Sequence, residues 1–387
     1  MAKRLVRINR AVMDLEPYQV SNQKPLFMDK SETPLKLDWN ESTVSPSPKV
    51  KEALAKTLNS EPLNWYPDVE ATELRNRLQE YTKLPLEYIS CFGGSDMALE
   101  YIARTYLEPG CSVLLSAPTY DNFRVYAQST GATVVQVTYK NPFHPNAKTL
   151  WDSISAKTRL VYICNPNNPT GAMMSEKEIV RLLELAPQQM FVIDEAYYEF
   201  CNQSVSKLVR QYTNLIVVRS FSKAFGLASL RVGYILTDPA NLEFIHRIKV
   251  GKNLNALAQI AAIAALDDVS YTEKYIREIS ESKKLLLARL RELGFEFHIT
   301  PANFFLIRFK EPKAAIKFLE QAGIFARDRS TVPQLEGFVR ITIGTPPQTE
   351  RLLQAIAKLA GQNQTTTSST SHSRLAEITE LDNPISA

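Results

Sequence analysis

The chain has 387 residues, 44% of them hydrophobic, so it can bury a large core, and its length predicts two domains or one large and one small. Charged residues make up 22% of the chain, and the formal net charge is only +4 with both signs interspersed. This balance argues against a nucleic-acid or membrane-surface binder and favours a small, neutral or weakly acidic partner.

The four cysteines, Cys91, Cys111, Cys164 and Cys201, lie far apart, without CxxC spacing or a nearby histidine. We therefore expect no metal site and no disulfide framework, and a cytoplasmic location. The N-terminus lacks the continuous apolar stretch of a secretory signal. The longest apolar run, near residues 255–266, is too short to span a bilayer, so no membrane partner is expected.

The first part of the chain shows little hydrophobic periodicity. Residues 1–35 carry scattered turn formers and are predicted to form an N-terminal arm. Apolar residues recur three and four positions apart in VKEALAKTL and ATELRNRLQEYT, which indicates helices from about residue 49. We assign residues 36–60 to the start of the smaller domain or to a linker.

The middle of the chain alternates short apolar runs with amphipathic stretches. The runs are SVLLSAP, ATVVQVTY, LVYICNPN, QMFVIDEA, LIVVRSFS and RVGYILTD. This alternation predicts an α/β fold, in which a mostly parallel sheet is covered on both faces, for a large domain over residues 61–270. Ligands of such sheets bind beyond the carboxyl ends of the strands.

The last part of the chain begins with a long helical stretch, YTEKYIREISESKKLLLARLRELG. The strand-like segments FEFHIT, NFFLIRF and FVRITIG follow, interleaved with helical ones, and predict a smaller α+β domain over residues 271–362. Residues 363–387 are rich in Thr, Ser, Asn and Gln, so a disordered tail is predicted there.

The most specific segment is SFSKAFGLASLRVG, which follows the apolar run LIVV. Its lysine, Lys223, is flanked by Ser220 and Ser222 and followed by Arg231. An amine in this setting can form an imine with an aldehyde while its neighbours bind a phosphate. An isolated lysine would instead be read as a solvated loop residue.

Other polar residues follow the apolar runs, and each has two readings. Asp194 ends FVID, where its carboxylate could pair with a ring nitrogen or cap the next helix. Ser95 and Asp96 follow two glycines at a helix start, where they could form an anion site or an ordinary cap. Asn168 lies in NNPTG, which by itself is a turn.

The segment SKAFGLASLRVGY resembles the cofactor-lysine motif of fold-type I aminotransferases of class I/II, and it is especially similar to the histidinol-phosphate aminotransferase subgroup. The resemblance extends from about residue 18 to about residue 360. It implies a fold-type I transferase with pyridoxal 5′-phosphate (PLP) as cofactor. Lys223 would hold PLP as a Schiff base and then move a proton between the substrate's α-carbon and the cofactor.

The resemblance also implies how the cofactor ring is bound. Asp194 would pair with the ring nitrogen, Tyr197 and Asn168 would donate to the phenolic oxygen, and Tyr120 would stack on the ring. Keeping the nitrogen protonated makes the ring an electron sink for the carbanion at the substrate's α-carbon.

The cofactor phosphate is expected at a cup formed by a helix N-terminus, hydroxyl groups and a guanidinium. The cup residues are Ser95, Asp96, Ser220, Ser222 and Arg231. Tyr66, in NWYPD, resembles the tyrosine that reaches the phosphate of the neighbouring subunit, which implies a homodimer with shared active sites. Its alternative role is a loop aromatic packed near Pro67.

The acidic group of an amino-acid or amine substrate is expected at Arg340, in FVRITIG, because a guanidinium binds a carboxylate or phosphate bidentately. Arg340 could equally lie on the solvated face of a strand. The resemblance also places Tyr18, Asn40, Glu41 and Asn303 near the substrate.

Three segments depart from the subgroup. The arginine that typically follows Tyr18 is absent, NENPxGPSP has become NESTVSPSP, and PYNVNALAQ has become GKNLNALAQ, which puts Gly251 and Lys252 in the substrate region. These changes indicate an altered substrate or reaction. Besides transamination, β- or γ-elimination, decarboxylation, or a cyclisation such as hydroxyarginine to a cyclic guanidino amino acid stay open.

A transcription regulator that uses the same fold to bind an effector is a further alternative. Such a protein needs an appended DNA-binding domain, and the short arm before the fold carries neither a recognition-helix pattern nor a basic cluster. We therefore expect no nucleic-acid partner.

Overall fold

The computed structural model describes residues 6–13, 15–18, 34–60 and 62–365, with side chains described as far as residue 360. In chain order the strands are β1 (Leu35–Lys36), β2 (Ile89–Phe92), β3 (Ser112–Ala117), β4 (Thr133–Thr138), β5 (Thr158–Cys164), β6 (Met190–Asp194), β7 (Leu215–Ser220), β8 (Gly233–Thr237), β9 (Phe297–Ile299), β10 (Phe304–Arg308), β11 (Ile324–Phe325), β12 (Arg327–Asp328) and β13 (Phe338–Thr342).

The helices alternate with these strands through the middle of the chain. They are α1 (Arg10–Met13), α2 (Pro48–Ser60), α3 (Thr72–Thr82), α4 (Ser95–Tyr106), α5 (Asn122–Ser129), α6 (Ala147–Ser153), α7 (Glu176–Leu185), α8 (Tyr198–Cys201), α9 (Pro239–Ile248), α10 (Ala256–Leu266), α11 (Val269–Glu292), α12 (Pro312–Gln321) and α13 (Pro346–Thr365). Short 3₁₀ turns occur at Leu86–Tyr88, Ser206–Arg210 and Ala228–Leu230.

The larger sheet has seven strands in the order β2-β8-β7-β6-β5-β3-β4. Strands β3 to β7 pair in parallel, whereas β8 is antiparallel to both of its neighbours. The prediction of an α/β fold with a mostly parallel sheet is confirmed. The six predicted apolar runs correspond to β3 to β8.

Except at the edge strand β4, both faces of this sheet are buried, as a parallel sheet requires. On β7, Leu215 and Val217 pack into one core, while Ile216 and Val218 pack into the other, because successive side chains point to opposite faces. Helices α3, α7 and α10 cover the first face, and α4, α5 and α9 cover the second. This is why the strands read as continuous apolar runs rather than as alternating ones.

The arrangement of the strands positions the site. Strands β3, β5, β6 and β7 are parallel, and β2 runs with them because β2 and β7 are both antiparallel to β8. Their carboxyl ends therefore lie along one edge of the sheet. Asp194 ends β6 and Ser220 ends β7 at this edge, which is where such sheets bind ligands.

The smaller sheet has the order β12-β13-β10-β9 and is antiparallel. Its core joins residues of α11, α12 and α13, including Leu286, Leu319 and Ile356, with Phe305 and Ile341. Strand β1 pairs in parallel with β11. Strands β1, β11 and β12 were not predicted, since two residues each are too few to show a period.

Several observations bear on the predicted domain limits, which stay a prediction. Helix α2, assigned to the linker or smaller domain, contributes Val50 to a core of the larger sheet. Helix α1 falls within the predicted arm. Helix α13 runs to Thr365, past the predicted boundary at 362, and the rest of the predicted disordered tail, 366–387, lies outside the described residues. Within the described part of the chain, no helix is long and apolar enough to cross a membrane.

Gly233, the first residue of β8, packs closely against the start of α4, the helix that follows β2. A Cβ at this position would lie 2.3 Å from the backbone nitrogen of Ser95 and 2.6 Å from the carbonyl carbon of Gly94. Because backbone must move, we expect Gly233→Ala to lower the free energy of unfolding by about 1–3 kcal/mol, measured by urea denaturation of the apoprotein. Gly251→Ala is the control, since its nearest contact would be an ordinary 3.7 Å. Equal midpoints for the two variants would contradict this packing.

Candidate active site

Lys223 lies in the turn that follows β7. Its Nζ donates a hydrogen bond to the carbonyl oxygen of Trp39, at 3.0 Å, and lies 5.8 Å from the centroid of the Tyr197 ring. Burial, reinforced by the positive charge of Arg340, lowers the pKa of Lys223 to about 8. About a tenth of this amine is therefore neutral, and nucleophilic, at pH 7.

Asp194 is buried, with 3% of its surface exposed. One carboxylate oxygen accepts from the Tyr162 hydroxyl at 2.8 Å, and the other accepts from the backbone nitrogen of Ala196 at 3.1 Å. Burial raises the pKa of Asp194 to about 6, against the lowering effect of these two hydrogen bonds. The carboxylate is held in one orientation and is still ionised at neutral pH.

Tyr197 joins the larger sheet to the segment before α2. Its hydroxyl accepts a hydrogen bond from Asn40 Nδ2 at 3.0 Å, and its ring packs edge-on against Phe304. Asn40 is buried in turn: its backbone nitrogen donates to Thr342 Oγ1 at 3.0 Å, and its carbonyl accepts from Asn303 Nδ2 at 3.1 Å. Asn40 and Asn303 thus hold Tyr197 in place, so their side chains are already engaged within the protein.

The predicted phosphate cup comes together at the N-terminus of α4. Arg231 pairs with Asp96 at 3.0 Å and donates to Ser222 Oγ at 3.2 Å. The backbone nitrogen of Ser222 donates to Ser220 Oγ at 3.1 Å, and Ser95 begins the helix. Backbone amides, hydroxyls and a guanidinium therefore converge beside the end of β7, which is the composition of an anion site.

The glycine turn before α4 keeps this cup open. Gly94 has a φ of 95°, in the left-handed region that favours glycine, and a Cβ there would lie 2.7 Å from Arg231 Nη2. The backbone nitrogen of Gly93 donates to Asn253 Oδ1 at 3.0 Å. The segment GKN thus packs against the cup, and Lys252 lies over the Tyr66 ring, 3.5 Å from its centroid.

Arg340 is buried at the centre of β13, so the alternative of a solvated strand face is wrong. Its Nη1 donates to Asn168 Oδ1 at 2.5 Å and its Nη2 donates to the carbonyl of Asp38 at 2.6 Å, while its Nε is buried without a partner. Both acceptors are neutral. The guanidinium is therefore held by dipoles and has bonding capacity left.

A cavity of about 940 Å³ opens beside these residues and is lined by Tyr18, Tyr120 and Asn168, among others. Tyr120 donates to Asp96 Oδ1 at 2.8 Å, which links the cavity to the cup. The rings of Tyr18 and Tyr120 meet edge-on, with centroids 5.9 Å apart. The cavity is therefore bounded on one side by aromatic rings.

Tyr66 and Glu41 are predicted site residues that neither line this cavity nor belong to the cup. Tyr66 is 75% exposed. Glu41 pairs with Lys36 and lines a separate cavity of about 340 Å³. In the described part of the chain, neither side chain forms a hydrogen bond with Lys223 or Asp194.

Sequence reasoning missed several residues of the site. Tyr162 binds Asp194, and a tyrosine within the apolar run LVYIC was the available signal. Arg327 and Arg329 line the cavity, and two arginines at alternate positions before FVRIT could have indicated it. The contact of Lys223 with the Trp39 carbonyl could not be predicted from the sequence, because any residue can supply a backbone acceptor.

These elements define an enzyme whose chemistry requires a reactive amine, a buried carboxylate and an anion site at one sheet edge. Comparison with known proteins identifies the family. The model of the family "Aminotransferase class I and II" matches residues 32–356, and the chain belongs to this family. It is a PLP-dependent aminotransferase, which confirms the predicted enzyme class and cofactor.

Curated relatives cover most of the chain. A dihydroxyacetone phosphate transaminase of Campylobacter jejuni is 39% identical over 361 residues, which span 92% of this chain and 98% of the relative. A histidinol-phosphate aminotransferase of Ruminiclostridium cellulolyticum is 32% identical over 354 residues, 90% of this chain and 97% of the relative. The predicted similarity to the histidinol-phosphate aminotransferase subgroup is confirmed.

Solved structures share the fold. A histidinol-phosphate aminotransferase from Sinorhizobium meliloti, in complex with pyridoxal-5′-phosphate, superposes with a TM-score of 0.83 at 23% identity and covers 93% of this chain and 99% of its own. An aspartate aminotransferase from Thermus thermophilus gives a TM-score of 0.77 at 22% identity over 92% of this chain and all of its own (100%).

The residues of the site fit PLP. The turn at Gly94 leaves room for a phosphate, since any side chain there would collide with Arg231. Asp194 offers a buried carboxylate that is ionised at neutral pH, and Lys223 offers an amine of lowered pKa. The groups at this sheet edge therefore match the aldehyde, the ring nitrogen and the phosphate of PLP in their chemistry.

The lowered pKa of Lys223 predicts a pH dependence of cofactor uptake. Only the neutral amine attacks an aldehyde, so the fraction of reactive apoprotein is small well below pH 8, about half near pH 8 and nearly complete well above it. The uptake rate, followed by visible absorbance, should rise with a midpoint of about 8 and then level off. An ordinary lysine would give a midpoint of about 10.4. Lys223→Arg is the control, because borohydride should fix no cofactor to this variant.

Proposed function

We propose that the enzyme interconverts, by transamination, a small primary amine that carries a phosphate group and the corresponding carbonyl compound. The observation that supports this most is Arg340, a buried guanidinium beside the cavity that has no carboxylate partner among its hydrogen bonds. A cation held in this way favours an anionic ligand. Both relatives above are named for phosphate esters, dihydroxyacetone phosphate and histidinol phosphate.

Lys223 and Asp194, at the strand ends, would have different roles toward the cofactor. When bound, PLP supplies an electron sink for the carbanion formed at the substrate's α-carbon. Lys223 would bind the cofactor and, once displaced by substrate, carry the proton from the α-carbon. Asp194 would hold the proton of the ring nitrogen. Its fixed orientation and ionised state at neutral pH support this role.

Other contacts would bind the ring. Tyr197 would donate to the phenolic oxygen, with its hydroxyl oriented by Asn40. Asn168 accepts from Arg340 through Oδ1, which leaves its amide nitrogen to donate to the same oxygen. Tyr120 would stack on the ring while its hydroxyl is tied to Asp96.

The cofactor phosphate would lie in the cup made by the α4 N-terminus and Arg231. The hydroxyl-bearing residues Ser95, Ser220 and Ser222 surround this position, and Asp96 orients Arg231 through the ion pair. The macrodipole of α4, a helix of twelve residues, favours negative charge there.

The substrate would bind in the large cavity, which Tyr18 lines, with its anionic group toward Arg340, which donates to the lining residue Asn168. Asn40 acts on the site through Tyr197 and Thr342. Glu41 contributes negative charge that raises the pKa of Lys223, but its carboxylate pairs with Lys36. Its role toward substrate is electrostatic in this arrangement.

The proposed assembly is a homodimer in which Tyr66 completes the partner's site. Tyr66 belongs to an exposed apolar patch with Leu63, Trp65 and Val69, and Val250 is also exposed. Gly251 lies against Val69, so the two segments adjoin. Contiguous apolar surface of this kind is typical of an interface.

The substrate proposal is tested with matched pairs of compounds that differ only in the phosphate. Holoenzyme and 2-oxoglutarate should convert histidinol phosphate, or glutamate should aminate dihydroxyacetone phosphate, with a kcat/KM at least about 100-fold above that of the unphosphorylated compound. Arg340→Ala should remove most of this difference. Equal rates for both members of each pair would sink the proposal. Turnover without a keto-acid acceptor would instead point to elimination, cyclisation or decarboxylation.

The shared site is tested by mixing two impaired variants, Tyr66→Ala and Lys223→Ala. If Tyr66 acts on the partner's site, each mixed dimer regains one intact site. Full exchange of equal amounts should then restore about a quarter of wild-type activity, since about half of the dimers are mixed. Size-exclusion chromatography checks that dimers form. No recovery from exchanged dimers would place Tyr66 outside the partner's site.

A further inference from the structure

One wall of the large cavity is formed by the loop that joins β12 to β13, residues 329–337, which we call the wall loop. Thr331, Val332 and Pro333 of this loop line the cavity. Leu115, on β3, and Gln136, on β4, line it from the larger sheet. The cavity therefore lies between the wall loop and the larger sheet, and its width depends on how closely the loop is held to that sheet.

The wall loop contains a β-turn with an unusual residue at its centre. The backbone nitrogen of Leu335 donates to the carbonyl of Val332 at 3.0 Å, which closes a turn around Pro333 and Gln334. Gln334 has a φ of 68°. Because proline fixes a negative φ at the first central position, the turn is of type II, which favours glycine or asparagine at the second. A glutamine there strains the backbone, so we looked for a role of its side chain.

The Gln334 side chain joins the wall loop to the larger sheet. Its Nε2 donates to the carbonyl of Tyr139 at 2.8 Å. Tyr139 follows β4 and is buried, and its hydroxyl is hydrogen-bonded to Ser116 Oγ on β3 at 2.8 Å. The acceptor is therefore fixed by the core of the larger sheet. Gln334 Oε1 is buried without a partner, so the donating side of the amide holds the group in place.

Apolar contacts surround the same junction. Leu335 and Phe338 form a small core with Leu306, and Phe143 and Val332 pack against it. The ring of Phe143, in the segment after β4, meets that of Phe338 edge-on, with centroids 6.0 Å apart. A hydrogen bond in such surroundings is stronger than one in water. The bond from Gln334 and this core therefore hold the wall loop together.

We propose that Gln334 is a positioning residue whose amide holds the wall loop against the larger sheet and so limits the size of the molecules that reach the cofactor. Asparagine would suit the turn better, but its side chain is shorter by about 1.5 Å, which is too much for a hydrogen bond to Tyr139. This inference rests on the part of the proposed function that places the substrate in the large cavity. It is independent of the substrate's phosphate.

The test uses holoenzyme and two reagents of different size, hydroxylamine and O-benzylhydroxylamine. Both remove the visible band of bound PLP by reacting at its aldehyde carbon, so each rate constant reports access to the cofactor. Gln334→Asn should accelerate the benzyl reagent about tenfold, because loss of one buried hydrogen bond raises the open population by about that factor. The rate constant for hydroxylamine should change less than about twofold, since the small reagent enters either way.

Two further variants separate the hydrogen bond from other effects. Gln334→Glu keeps the shape of the side chain but, when ionised, has no donor for Tyr139, so it should accelerate the benzyl reagent as Gln334→Asn does. Gln354→Asn, the same chemical change on the exposed face of α13, is the matched control and should alter neither rate constant. Hydrogen exchange of residues 329–337 should be faster in both Gln334 variants, whereas a residue that serves only the turn would show no loss in Gln334→Asn.

The thermal midpoint and the visible band check that each variant is folded and loaded. Unchanged benzyl-reagent rates in the two Gln334 variants would overturn the inference. Equal acceleration of both reagents would also overturn it, because this would indicate a general loosening around the cofactor rather than a wider entrance.

The reagents need no substrate, so the outcomes separate this inference from the proposed function. If phosphate-bearing amines are turned over while the reagent rates stay unchanged, the proposed function stands and the role of Gln334 falls. If the benzyl reagent is admitted by the Gln334 variants but no phosphate-bearing amine is turned over, the role of Gln334 stands and the proposed function falls.

Discussion

The buried guanidinium of Arg340 is the contact on which the site depends, because it joins three parts of the chain that are far apart in sequence. It lies on β13 of the smaller sheet, donates to Asn168 beyond β5 of the larger sheet, and donates to the carbonyl of Asp38 near β1. Neither acceptor is a carboxylate. Burying a charge against neutral dipoles is costly, so this arrangement supports the proposed anionic ligand.

Burial shifts the pKa values of Asp194 and Lys223, the two ionisable groups at the strand ends, in opposite directions. Burial raises the pKa of Asp194 to about 6 and lowers that of Lys223 to about 8. At pH 7 Asp194 is mostly ionised, and on the order of a tenth of Lys223 is neutral. Each group can therefore hold the charge state that transamination needs. Tyr162 contributes by stabilising the carboxylate that burial disfavours.

The sequence predicted best those parts of the site that hydrophobic patterning controls. Asp194 and Lys223 were proposed because each ends or follows an apolar run and matches the family motif, and parallel strands bring their carboxyl ends to one edge. The Asn40–Tyr197 and Arg340–Asn168 contacts join residues 157 and 172 positions apart. Such contacts depend on how the smaller sheet packs on the larger one, and no local period records this packing.

The residues proposed to bind cofactor and those proposed to face substrate are carried by different kinds of structure. Cofactor residues stand at the ends of strands whose side chains build both cores of the larger sheet, so changing their positions would disturb the fold. Arg329 follows a strand of two residues and belongs to no apolar core. Family membership therefore identifies the reaction, whereas the proposed substrate depends on the wall of the large cavity, which includes Arg327 and Arg329.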